Sequence, residues 1–135
     1  MLFCFDIFFS IRERLLHGRL HAKNDLLSIY RGAMAERFVG QEMLVSQQGG
    51  LYYWDRQAKS CSAEIDYLAV LNGRIHPVEV KSGATGSLRS LHLFLASYPE
   101  CGRALVFSDR PYADLPEQKI TFLPLYSAFA VTRNE

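Results

Sequence analysis

The stretch Glu64–Lys81, EIDYLAVLNGRIHPVEVK, decides how this chain reads. Two aliphatic runs flank Asn72-Gly73, and Asn-Gly in that setting is the strongest short-range signal of a two-residue hairpin turn. The turn sets the register. With Leu71 opposite Arg74, Asp66 falls opposite Glu79 and Glu64 opposite Lys81. Side chains alternate along a strand. One face is therefore expected to carry Glu64, Asp66, Leu68, Val70, Ile75, Pro77, Glu79 and Lys81. The other carries Ile65, Tyr67, Ala69, Leu71, Val78 and Val80. Both faces are largely apolar, the pattern of a sheet covered on both sides.

The charges on that hairpin are physically expensive. Directly opposed Cβ atoms lie about 4.5–5.5 Å apart, and like charges so placed repel. Two such carboxylates in a partly covered site must share a proton, find cations or hold a metal. Lys81 offsets part of the charge. Carboxylate oxygens are the ligands Mg²⁺ and Mn²⁺ prefer, so a divalent ion would offset the rest. A solvated ion-pair face is the plainer alternative for Glu79-Val80-Lys81. Pro77 argues against a fully paired central strand, because it has no N–H to donate.

Outward from the hairpin, Tyr30–Gln47 reads as a helix, with Ala35, Phe38, Val39, Met43, Leu44 and Val45 at helical spacing and Gly49-Gly50 as its stop. Leu51–Trp54 reads as a strand. A helix runs to about Ser97, capped by Thr85 or Ser87, with Leu88, Leu91, Leu93, Phe94 and Leu95 on its buried side. Arg103–Phe107 and Lys119–Leu123 read as strands, and Pro124 opens a last helix, Leu125–Val131. Leu2–Phe5 is a short strand or a helix lead-in, and Ile7–Leu20 looks helical. The order predicts an α/β sandwich around a mixed sheet. It forms one domain over residues 1–135: a strand/helix extension over 1–29 and a core over 30–135.

With 135 residues the chain is long enough to bury a core without a metal or disulfide. A net charge of +1 excludes a strongly basic nucleic-acid binder, so any such contact has to be local. The three cysteines, Cys4, Cys61 and Cys101, form no CxxC pair and read as reduced thiols of a cytoplasmic protein. The apolar start, Leu2–Phe9, lacks a basic n-region and is too short to span a membrane. It suits packing on a partner. No GxxxxGK[ST] phosphate loop occurs, so no nucleotide cofactor and no ATP hydrolysis are expected of these residues. His17 and His21 have helical metal-pair spacing but no third ligand. His76 and His92 read as structural. Tyr52, Tyr53 and Trp54 read as core aromatics, with base stacking the alternative.

An acidic helix residue, then Asp, then Glu-x-Lys on the next strand resembles the PD-(D/E)XK nuclease-like superfamily. The matching residues are Glu36, Asp66 and Glu79-Val80-Lys81. Ile65 stands where that family often has proline. A wider resemblance, carried by Tyr30–Glu36, Leu51–Trp54, Ala63–Leu68, Pro77–Gly83 and Gly86–Leu91, is to the uncharacterised C-terminal domain of bacterial and archaeal AAA-type ATPases. The resemblance implies a restriction-endonuclease-like three-layer sandwich, a central mixed sheet flanked by helices. It implies metal-dependent cleavage of phosphodiester bonds in nucleic acid, with DNA the expected partner. Asp66, Glu79 and the Val80 carbonyl would hold Mg²⁺ or Mn²⁺, Lys81 would orient or deprotonate a water, and Glu36 would add an outer contact. Glu64 would support Lys81 through a salt bridge. Arg56, Ser82, Gly83, Thr85, Ser87 and Arg89 would contact phosphates. A homodimer is implied by resolvase-like relatives. The competing expectation is a catalytically idle module that partners an AAA-type ATPase.

Overall fold

The computed structural model describes residues 23–47, 50–57, 62–83 and 87–133, with the backbone alone for 23–28. The expectations for Leu2–Phe9, Ile7–Leu20, His17, His21, Cys4, Cys61 and Thr85 lie outside these residues.

Helix α1 (Lys23–Ser46) is followed by strands β1 (Tyr52–Arg56), β2 (Ala63–Leu71) and β3 (Arg74–Lys81). Helix α2 (Arg89–Ser97) leads to β4 (Ala104–Ser108), β5 (Ala113–Leu115) and β6 (Ile120–Pro124), and α3 (Ala128–Thr132) follows a 3₁₀ turn at Leu125–Ser127. The six strands form one mixed sheet in the order β1-β2-β3-β4-β6-β5. β1, β2 and β3 run antiparallel, β3, β4 and β6 parallel, and β5 antiparallel to β6. On one face Val39 and Met43 of α1 and Ala128 of α3 pack on Tyr67, Ala69, Val78, Leu105 and Phe107. On the other, Leu91 and Phe94 of α2 pack on Ile65, Ala104, Val106 and Ile120. The chain is a three-layer α/β sandwich.

The hairpin forms in the expected register, from Leu71↔Arg74 to Tyr67↔Val78. Asn72 and Gly73 both take positive φ, 51° and 73°, as a type I′ turn requires. Pro77 is tolerated because its pair with Leu68 is one of the non-hydrogen-bonded pairs counted from the turn, and pairing with β4 begins only at Val78. α1 starts at Lys23, earlier than Tyr30. Its buried side is Ala35, Val39, Met43 and Ser46, while Phe38, Leu44 and Val45, also at helical spacing, are exposed. Tyr52 and Tyr53 are exposed too, because β1 is an edge strand, and only Trp54 packs inward, edge-on to Phe94. Pro124 ends β6 in an extended conformation and precedes the 3₁₀ turn.

The expected alternation fails at one place. Tyr52 pairs with Leu68 but Trp54 pairs with Ile65, so Asp66 and Tyr67 together oppose Tyr53 alone. This β-bulge inserts one residue into β2. Ile65 accordingly packs on the α2 side, while Tyr67 and Ala69 pack on the α1 side.

Candidate functional site: an acidic cleft where the hairpin parts

The paired register of β2 and β3 ends at Tyr67↔Val78. One step further, Asp66 and Glu79 were expected as a direct cross-strand pair. Instead the Val80 N–H, which a continued ladder would aim at Ile65, donates to Asp66 Oδ2 at 2.8 Å. The bulge and this side-chain capture open the hairpin at its acidic end.

The opening is a cavity of about 420 Å³ lined by Ile29, Gly32, Ala33 and Glu36 of α1, Glu64, Asp66, Glu79, Val80, Lys81 and Ser82 of the hairpin end, and Ser90 of α2. At Gly32 α1 runs close to Ser82, whose Oγ would be in ordinary contact, 3.4 Å, with a Cβ at that position. Gly40 is what lets α1 close on Tyr67: an added Cβ would sit 2.6 Å from the phenol oxygen. The Tyr67 hydroxyl donates to the Glu36 carbonyl at 3.1 Å, which fixes that turn of the helix over the bulge.

Glu79 is the anomaly of the site. It is only 7% exposed, and although Lys81 donates to its Oε1, its Oε2 has no hydrogen-bond partner. Buried polar atoms are nearly always paired, so this one calls for an explanation. Burial, and then the Asp66 charge, push the Glu79 carboxyl up to about 7 from an ordinary 4.5. Lys81 pulls in the other direction and loses. Removal from water combined with a neighbouring anion thus outweighs one ion pair.

The site residues read from sequence divide by position. Glu36, Glu64, Asp66, Glu79, Val80, Lys81 and Ser82 all line the cleft. Gly83 follows it with φ 104°, a backbone angle that favours glycine. Ser87 accepts the Arg89 N–H at 3.2 Å and so tightens the start of α2. Arg89 and Arg56 are exposed and lie outside the lining; Arg56 pairs with Ala63, next to Glu64. Lys81 pairs with Glu79. Ser90 was missed by the sequence reading. Its Oγ accepts the Glu64 N–H at 3.4 Å across the cleft. Its only signal is position in the first turn of the helix after β3.

Among the described residues no three His, Cys, Asp or Glu side chains are grouped so as to hold a metal. The donor set still fits a hard cation that keeps part of its water: Mg²⁺ is commonly held by one or two carboxylates. The orphaned Glu79 oxygen beside Asp66 supplies two such ligands.

Fold and cleft together define a small α/β domain with a carboxylate-rich site at the open end of a split hairpin. The chain belongs to the family described as a domain of unknown function (DUF4143), whose profile matches residues 31–127. No curated protein and no solved structure matches the chain. Among the described residues no helix is long and apolar enough to cross a membrane.

Proposed function

We propose that this domain is a metal-dependent, PD-(D/E)XK nuclease-like hydrolase of phosphodiester bonds in nucleic acid, with DNA the favoured substrate, working in the cytoplasm. The observation that carries the reading is Glu79: a carboxylate buried against Asp66, one oxygen unpartnered, at the floor of an open cleft. Such an arrangement weakens the fold and makes sense as a site held ready for a cation.

Asp66, Glu79 and the Val80 carbonyl would hold Mg²⁺ or Mn²⁺. The ion would polarise the scissile phosphate and acidify a bound water. Lys81, 28% exposed and tethered to Glu79, lines the cleft. It orients the attacking water and offsets charge growing on the phosphate. Glu36, facing the pair from α1, orders water around them. Asp66 also holds the Val80 N–H, so its replacement would disturb the strand as well as the charge. The test is hydrolysis of DNA and RNA oligonucleotides with Mg²⁺ or Mn²⁺. Metal-dependent cleavage lost in Lys81→Ala supports the reading; no cleavage and no metal binding sinks it.

A second reading rests on a different observation. Tyr30, Met34, Phe38 and Val45 are exposed along α1. Domains of this family often lie C-terminal to AAA ATPases. A catalytically idle module that docks by α1 onto such an ATPase, or onto a second copy, accounts for that stripe and leaves Glu79 unexplained.

A further inference from the structure

We infer that the cleft accepts a single phosphodiester at a strand end or in a short oligonucleotide, and not the interior of a closed nucleic-acid chain; this rests on the phosphodiester reading above. Depth is the first ground. Glu79 keeps only 9% of its side chain exposed, and it lies in a cavity of about 420 Å³. That is the scale of a small-molecule site, roughly 300–1,000 Å³, and it suits about one nucleotide. A duplex interior cannot bring a phosphate to that depth without its paired strand meeting the walls.

The walls are the second ground. α1 stands on one side with Ile29, Ala33 and Glu36, and α2 on the other with Ser90. At Gly32 α1 runs close to the Ser82 Oγ, which would lie 3.4 Å from a Cβ there, so the two sides approach each other at the end of β3. A chain end can enter such a recess; a continuous strand would have to fold back on itself to do so.

Charge is the third. Proteins that hold long nucleic acids neutralise roughly 6–10 phosphates with Lys and Arg. Among the described residues the lining supplies four acidic side chains and one lysine, Lys81. The Ser82 and Ser90 hydroxyls add further polar donors. Ser90 accepts from the Glu64 N–H, which leaves its own proton to donate to a phosphate oxygen. These donors suit one phosphate, held with a cation's help, and not a track of them.

The experiment incubates the full chain with Mg²⁺ and four DNAs of equal length: a linear single strand, a blunt linear duplex, and covalently closed single- and double-stranded circles. A small diester, bis(4-nitrophenyl) phosphate, is assayed alongside. The expected result is shortening of the linear strands at least about tenfold faster than any nicking of the circles, with the small diester also hydrolysed. Affinity for the linear single strand should fall with salt at a log–log slope of about −0.7, as one phosphate contact on a single strand requires. Circles cut as fast as linear strands, or a slope several-fold steeper, would overturn the inference while leaving the phosphodiester reading intact. No hydrolysis of any substrate, the small diester included, would remove that reading and this inference together.

Discussion

The two ends of one hairpin behave differently. From Leu71↔Arg74 to Tyr67↔Val78 the strands pair without interruption, and Ala69 and Val78 are fully buried. At the other end the ladder stops, Asp66 takes a backbone N–H for itself, and Glu79 is buried with an oxygen unpaired. The same two strands are thus built for packing at the turn and for charge at the opening. Stability alone would favour apolar residues throughout, since burying an unpaired carboxylate is among the most costly things a core can do. The contrast marks the open end as the candidate site.

Four substitutions sharpen or break this contrast. The largest effect is expected at the open end. Lys81→Ala should lower Mg²⁺-dependent phosphodiester hydrolysis by about 10²–10⁴-fold, measured as initial rates. Unchanged rates would return Lys81 to the status of a surface ion pair.

Next comes Glu79→Gln, and its sign is unusual. The Glu79 carboxyl is raised to about 7 in the fold, so the folded state keeps a proton that the unfolded chain loses. Its effect on stability is therefore absent below about pH 4.5, grows unfavourable as pH rises towards 7, and stays constant above. Removing the charge should stabilise the metal-free protein at pH 8 by up to about 3 kcal/mol and do little at pH 4. Urea unfolding of both proteins at the two pH values reads this directly. Equal stability shifts at both would mean the carboxylate is better solvated than its burial indicates.

Gly40→Ala tests the packing that closes α1 over the bulge. The added methyl meets the Tyr67 phenol, so a loss of about 1–3 kcal/mol is expected, partly recovered in a Tyr67→Leu background. The smallest effect belongs to the turn. Gly73→Ala forces φ 73° on an L-residue in open space and should cost about 1 kcal/mol, without altering hydrolysis.

The same contrast explains what the sequence could and could not reveal. The turn end was legible because Asn72-Gly73 fixes its own register through local backbone chemistry. Glu79, Asp66 and Lys81 followed from that register as neighbours. The bulge was not legible: it exists only relative to β1, through the pairs Tyr52↔Leu68 and Trp54↔Ile65, and a strict period of two hides an inserted residue. Hence Ile65 was assigned to the wrong side and the Asp66–Glu79 pair was drawn as a regular rung. Phe38, Leu44 and Val45 are exposed despite their helical spacing, because that spacing reports apolar character and not what covers it. β5 was missed for another reason. Its three residues are all exposed and carry no periodic signal. Its place on the sheet edge is reinforced from outside its own sequence, by Arg103 and Thr121 donating to Asp114. Glu36 came from resemblance alone, since nothing local marks a helical glutamate as facing a cleft 30 residues further along the chain.

The proposed function requires Glu79 to be a carboxylate held in reserve for a cation. The direct measurement is a ¹³C NMR titration of its side-chain carboxyl, with and without millimolar Mg²⁺. The expected midpoint lies near 7 in the metal-free protein and falls towards the ordinary 4.5 when Mg²⁺ is added. A midpoint already near 4.5 and indifferent to Mg²⁺ would contradict it.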